Sequence, residues 1–150
     1  MRVSSGALAL VVALAAGCGS SADANPDDFV GVWTGTGTVT TKCGMGSGNT
    51  SALNETITIT KGVNAPLVVV VGTCSLQMDA KGKVATLRAG QMCTVMRNGL
   101  SSNATYQTGD FTVSGIKATF NLSASFTVGE GAVVLACTYL ATGQASKVPK

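Results

Sequence analysis

Gly115-Ile116-Lys117-Ala118-Thr119-Phe120-Asn121-Leu122-Ser123-Ala124-Ser125-Phe126-Thr127-Val128-Gly129 is the stretch that decides the fold. Ile116, Ala118, Phe120, Leu122, Ala124, Phe126 and Val128 are apolar, and the residues between them are polar. Successive side chains of a strand point to opposite faces, so this pattern sets one face on a core and the other in water. Between its two glycines the stretch predicts one long antiparallel strand, or a strand bent once.

Outward from it, Ile57 and Ile59 among Thr56, Thr58 and Thr60 repeat the alternation. Val30 to Thr41 predicts a first strand, with Gly31, Trp33, Gly35 and Gly37 on one face and Val32 and threonines on the other. Leu67 to Val71 is a continuous apolar run, as in a strand buried on both faces. Cys74–Asp79 and Lys83–Arg88, joined through Ala80-Lys81-Gly82, predict a hairpin. Gln91–Arg97, Tyr106–Val113 and Ala132–Thr142 complete the set, with Asn98-Gly99 as a turn and Gly109-Asp110 as a turn or bulge. Recurrent glycine and the lack of a helical period leave no place for long helices. Eight or nine short strands without crossover helices predict an all-β domain: an antiparallel meander closing into a small up-and-down β-barrel, with a two-sheet β-sandwich as the alternative.

The chain has 150 residues, 45% hydrophobic and 11% charged, enough for one domain with a surface of Thr, Ser, Asn and Gly. Its five cysteines are Cys18, Cys43, Cys74, Cys93 and Cys137. An odd number in an exported protein leaves one unpaired. Four domain cysteines permit three pairings. Cys74 with Cys93 would close a local loop around a hairpin, and Cys43 with Cys137 would tie the first strand to the last; this is the preferred set. Each would contribute about 3–5 kcal/mol by the loop-entropy model. A Cys₄ zinc site would need four distant strands and has no CxxC spacing, so no metal is expected.

The N-terminus explains the fifth cysteine. Met1-Arg2 is a short basic region, Ala7 to Ala16 is an apolar segment too short to span a bilayer, and Leu14-Ala15-Ala16-Gly17-Cys18 ends it. These residues resemble the lipobox of bacterial lipoproteins, with Ala15 where that family prefers Leu. The resemblance implies a signal peptide over 1–17 and a lipid on Cys18, and hence a membrane partner. An ordinary signal peptide cleaved nearby is the competing possibility. Gly19 rather than Asp after the cysteine implies outer-membrane placement. Residues 18–28, small, polar and acidic, read as lipidated N-terminus and flexible tether, and 29–150 as the domain.

The absence of histidine removes Ser-His-Asp and Cys-His catalysis. Glu55, Asp79, Asp110 and Glu130 are the domain's carboxylates; two strands could bring two of them together as a glycosidase-type pair. But Asp79 and Glu130 sit beside glycine turns, Asp110 interrupts a strand at a Gly and Glu55 enters a Thr-rich strand, so no enzyme activity and no catalytic residue is expected. No phosphate-binding glycine loop occurs, so no cofactor is expected either. Basic residues from Lys42 to Lys150 are scattered singly apart from Lys81 and Lys83, which gives no nucleic-acid stripe.

Gly31-Val32-Trp33 resembles the G-x-W signature of lipocalins and related calycin barrels. That resemblance implies a Trp packed across the closed end of the barrel under a cation from near the last strand, for which Lys147 is available. The lipobox, this early Gly-x-Trp and the Gly-Thr-Cys and Gly-Gln-x-Cys segments also resemble small, Cys-containing lipoproteins of myxobacteria and similar Gram-negative lineages, a family that brings no known activity. Two function classes follow. One is an envelope lipoprotein whose barrel binds a small apolar ligand in an interior lined by Trp33, Phe111, Phe120, Leu122 and Phe126. The other is a structural or interaction lipoprotein whose barrel is filled by its own side chains and whose exposed Thr and Asn faces meet envelope protein partners.

Overall fold

The computed structural model describes residues 25–97, 100–129 and 134–150. The expected signal segment, Cys18, the expected tether up to residue 24, the turn expected at Asn98-Gly99 and Glu130 lie outside the described residues. After a 3₁₀ turn at Pro26–Asp28 come nine strands: β1 (Gly31–Cys43), β2 (Asn49–Lys61), β3 (Leu67–Val71), β4 (Cys74–Lys81), β5 (Val84–Leu87), β6 (Gln91–Arg97), β7 (Leu100–Ser114), β8 (Lys117–Val128) and β9 (Leu135–Lys147). They form one antiparallel sheet in the order β5-β4-β3-β2-β1-β9-β8-β7-β6, and pairing of β5 with β7 closes eight of them into a barrel. The sandwich alternative is thereby set aside, since the strands form one closed sheet and not two open ones.

β5 and β6 run in succession along one edge of β7. Val84, Ala85 and Thr86 pair with Thr112, Phe111 and Asp110, and Gln91 to Arg97 then pair with Tyr106 to Leu100. The two are one broken stave, interrupted at residues 88–90. On its other side the stave leaves β4 at the break, and a side chain takes over from the ladder. The Gln91 amide accepts from the Gln77 N–H (2.6 Å) and donates to the Gln77 carbonyl (2.9 Å) and the Arg88 carbonyl (2.6 Å). It does for β4 what a neighbouring peptide group would do. The Cys74–Cys93 disulfide closes the same seam further along, and Cys43–Cys137 joins the ends of β1 and β9 as a directly opposed pair. This is the pairing preferred from the sequence.

Along β8 the alternation is realised: Ala118, Ala124 and Phe126 are buried, and Phe120 and Leu122 are half-buried. Its outermost members differ from expectation, because Ile116 lies in the two-residue β7–β8 turn and Val128 at a strand end, both exposed. Leu67–Val71 is not buried on both faces; Leu67 and Val69 are buried and Val68 and Val70 only half so, as in a barrel wall wetted from outside. β2 begins seven residues earlier than its Ile/Thr pattern, and β9 continues through Gly143 to Lys147. The irregularity expected at Gly109-Asp110 falls instead between Tyr106 and Thr108, where Gln107 is the extra residue. One extra residue resets the parity, so Tyr106 and Phe111, five apart, are both buried.

Close approach of β1 to β9 is made possible by Gly37 and Gly143, which face each other in register. A Cβ on Gly37 would collide with the Thr142 carbonyl oxygen, and one on Gly143 would press on the Phe120 ring. At the N-terminal end, the chain joins the barrel before Phe29: Asn25 Oδ1 accepts from the Asp27 N–H, Asp27 pairs with Lys61 at 2.9 Å, and Phe29 is fully buried. Residues 25–28 thus lead directly into the barrel.

Replacing Gln91 with Leu keeps its bulk and removes all three seam bonds. Leaving the Gln77 N–H and carbonyl without these partners should cost about 2–3 kcal/mol, measured by urea unfolding with both disulfides intact.

Candidate functional site

The barrel has a closed and an open end, and strand length makes the difference. At the closed end Trp33 is fully buried; its Nε1 donates to the Phe29 carbonyl at 2.8 Å and its ring meets Phe111 edge-to-face at 5.2 Å. Lys147, register partner of Trp33, holds its ammonium 5.3 Å from the Trp33 ring centroid and donates to the Asp28 carbonyl at 3.1 Å. Trp33, Phe29, Ile59 and Leu67 form a solid floor, each at most 1% exposed.

Above the floor the wall is uneven. β3 and β4 turn early through Gly72-Thr73, with Val71 opposite Cys74. Gly72 has φ 58°, the left-handed conformation such a two-residue hairpin needs and glycine adopts without strain. Meanwhile β2, last joined to β3 at Ile57, continues upward to Asn49 beside β1 alone. The low β3–β4 lip leaves a notch into the interior.

Two adjoining spaces lie there. The deeper is about 60 Å³, walled by Ile57, Val69, Leu76, Phe111, Phe120 and Leu122 among others. The wider one at the mouth is about 360 Å³ and reaches Cys74, Ala104, Tyr106, Ala124 and Phe126. Glu55, Val71 and Tyr139 border both, so they make one cup. Only the mouth falls in the range of small-molecule pockets, roughly 300–1,000 Å³.

Of the five residues expected to line an interior, Phe111, Phe120 and Leu122 border the deep space and Phe126 the mouth. Trp33 borders neither; it is consumed by the floor. Glu55, Tyr106 and Tyr139 were not expected. Glu55 shares strand parity with buried Ile57 and Ile59, and its position would have been legible had β2 been extended upstream. Tyr106 and Tyr139 share parity with the buried Ala104 and with Cys137 and Ala141, a signal obscured for Tyr106 by the bulge.

The Tyr106 hydroxyl donates to Cys74 Sγ at 3.6 Å, and burial pushes its phenol above the ordinary tyrosine value. Asp79 is occupied elsewhere: Arg88 Nε and Nη2 grip its carboxylate (2.9 and 2.7 Å), and that bonding holds it below the usual carboxylate range. Asp110 and Asn121 oppose each other at positions whose parity sets side chains outward, since Phe111, Phe120 and Leu122 face in. Asp110 also borders the deeper space, but among the described residues Glu55 is the carboxylate whose strand parity sets it on the inner face of the cup, and no Lys or Arg among them borders either space.

No family model, no curated protein and no solved structure matches this chain. The site defines a class by geometry alone: a closed antiparallel barrel with a solid floor and a mostly apolar cup at the other end.

Lys147→Met keeps the aliphatic stem and removes the charge above Trp33 together with the bond to Asp28. Thermal or urea unfolding should show a loss of about 1 kcal/mol, without change in the cup.

Proposed function

We propose that this chain is an envelope lipoprotein, held at the membrane by a lipid on Cys18, whose barrel takes a small, mostly apolar molecule into its open end. The cup carries this proposal: aliphatic and aromatic walls, a mouth of about 360 Å³, and, among the described residues, an inner-face carboxylate at Glu55. Burying an anionic head beside Glu55 with no cation among the described lining residues to offset it is costly, so neutral or cationic amphiphiles are favoured over fatty-acid anions. Gly31-Val32-Trp33 beneath Lys147 supports the calycin likeness. Outer-membrane placement belongs to the same proposal and rests on Gly19 following Cys18.

One observation favours the structural alternative: beneath the mouth the barrel is filled by its own side chains down to a space of about 60 Å³. Native mass spectrometry of the delipidated protein from its own host separates the two. A co-purifying small molecule supports the binding module; a clean apo mass across preparations favours the filled barrel. In displacement of a fluorescent naphthylamine probe, dodecylamine and dodecanol should compete about ten-fold better than dodecanoate, and Glu55→Gln should narrow that gap. Failure of all three to compete would remove the ligand proposal.

For the anchor, Cys18→Ser should abolish labelling by a palmitate analogue in the native host. Undiminished label on that variant would rule out Cys18 as the lipid site.

A further inference from the structure

The basic residues that look scattered along the chain gather at one end of the barrel. In an up-and-down meander every second turn returns to the same end. Lys61 ends β2, Lys81 ends β4, Lys83 lies in the β4–β5 turn, Lys117 starts β8, Lys147 ends β9, and Lys150 follows it. All are at the closed end. Of the other basic residues from Lys42 onward, Lys42 and Arg97 are at the open end and Arg88 is bound to Asp79. The acidic side chains of the closed end are Asp27, paired with Lys61, and Asp28; Asp79, lower on the wall, is held by Arg88. Lys81, Lys83, Lys117 and Lys150 have no carboxylate partner among the described residues.

Aliphatic side chains stand between these lysines. Val63 in the β2–β3 loop is fully exposed, Ile116 in the β7–β8 turn is 68% exposed, and Val148 just after β9 is 44% exposed. The chain also enters the barrel here, at Asn25. From Cys18 to Asn25 an extended segment reaches at most about 25 Å.

We infer that the closed end is a membrane-facing surface that sits on anionic phospholipid headgroups, its lysines meeting phosphates and its three aliphatic tips entering the headgroup layer. Lysines attract to an anionic leaflet and exposed aliphatic tips add hydrocarbon contact. A nucleic acid would engage the same charges but offers nothing to Val63, Ile116 and Val148. The cup mouth then points away from the bilayer. Because the surface is built from the barrel alone, it acts without the Cys18 lipid, and it can fail while the anchor and ligand proposals stand.

The test uses the chain without residues 1–17 and with Cys18→Ser, so that no lipid contributes; the described barrel closes on itself and makes no described contact before Asn25. Flotation with phosphatidylcholine vesicles containing phosphatidylglycerol is compared with phosphatidylcholine alone. Binding is expected only to the anionic vesicles, with release at high salt. The triple variant Lys81→Glu, Lys83→Glu, Lys117→Glu should bind roughly a hundred-fold more weakly or worse, at about five-fold per lysine lost. Ile116→Ser should give a smaller decrease, and Lys42→Glu at the open end should bind as the parent. Unchanged circular dichroism and melting temperature establish that the variants are folded. No flotation with anionic vesicles, flotation unaltered by the triple variant, or capture by duplex DNA without capture by vesicles would each overturn the inference.

Discussion

Closure of the sheet depends on a short ladder. Three residues of β5 pair with β7, and without them the meander would be an open sheet with two edges. Beside that ladder, where β6 parts from β4, hydrogen bonding is carried by the Gln91 amide and continuity by the Cys74–Cys93 bond. Everything inside the barrel presumes this seam. The floor, the cup and the apposition of β1 with β9 are parts of a ring, and a ring holds only if each joint does. That the weakest joint carries a side-chain bridge and a disulfide is consistent with this, since a disulfide adds most where it restricts what the unfolded chain can do.

Much of the architecture is legible from period-two alternation. β8 could be read residue by residue, and the absence of helical periodicity together with the spacing of turns pointed to a meander. What alternation misses is strand without an apolar face. Asn49 to Thr56 of β2 carries only Ala52 and Leu53 as apolar residues, because in the structure that stretch rises above the core beside β1 alone. Leu100 to Thr105 at the start of β7 has the same character. The cup inherits this blindness: Glu55 is on a segment with no hydrophobic pattern to announce its inward face, and Tyr106 is on the far side of a bulge that reverses parity. Phe111, Phe120, Leu122 and Phe126 were legible as interior because large apolar residues at one parity have nowhere else to go. Trp33 was legible as buried, but only its register with Lys147 and its bond to Phe29 show that it is floor and not wall.

The barrel is two structures in one. Its lower half is a packed core in which Trp33, Phe29, Ile59 and Leu67 leave no room, and its upper half is a hollow rim of uneven height. A short β3–β4 hairpin and tall β1–β2 and β7–β8–β9 walls are sufficient to create the difference. Small residues assist in both halves: Gly37 and Gly143 let two strands approach below Val39, and Ala104 and Ala124 leave volume at the mouth. Stability and hollowness are thus assigned to opposite ends of the same strands.

The position of β1 has a mechanical consequence. This strand follows the N-terminal turn directly and is flanked on both sides over long runs, from Gly31 to Thr41 by β2 and from Trp33 to Cys43 by β9. A pull on β1 along its own axis against the rest of the barrel would load both flanking ladders together in shear, instead of opening them one bond at a time. Phe29 and Trp33 resist first, as plugs in the floor, and the Cys43–Cys137 bond stops the far end of β1 from sliding past β9. The fold thus sets its longest continuous ladders along the strand that begins the barrel.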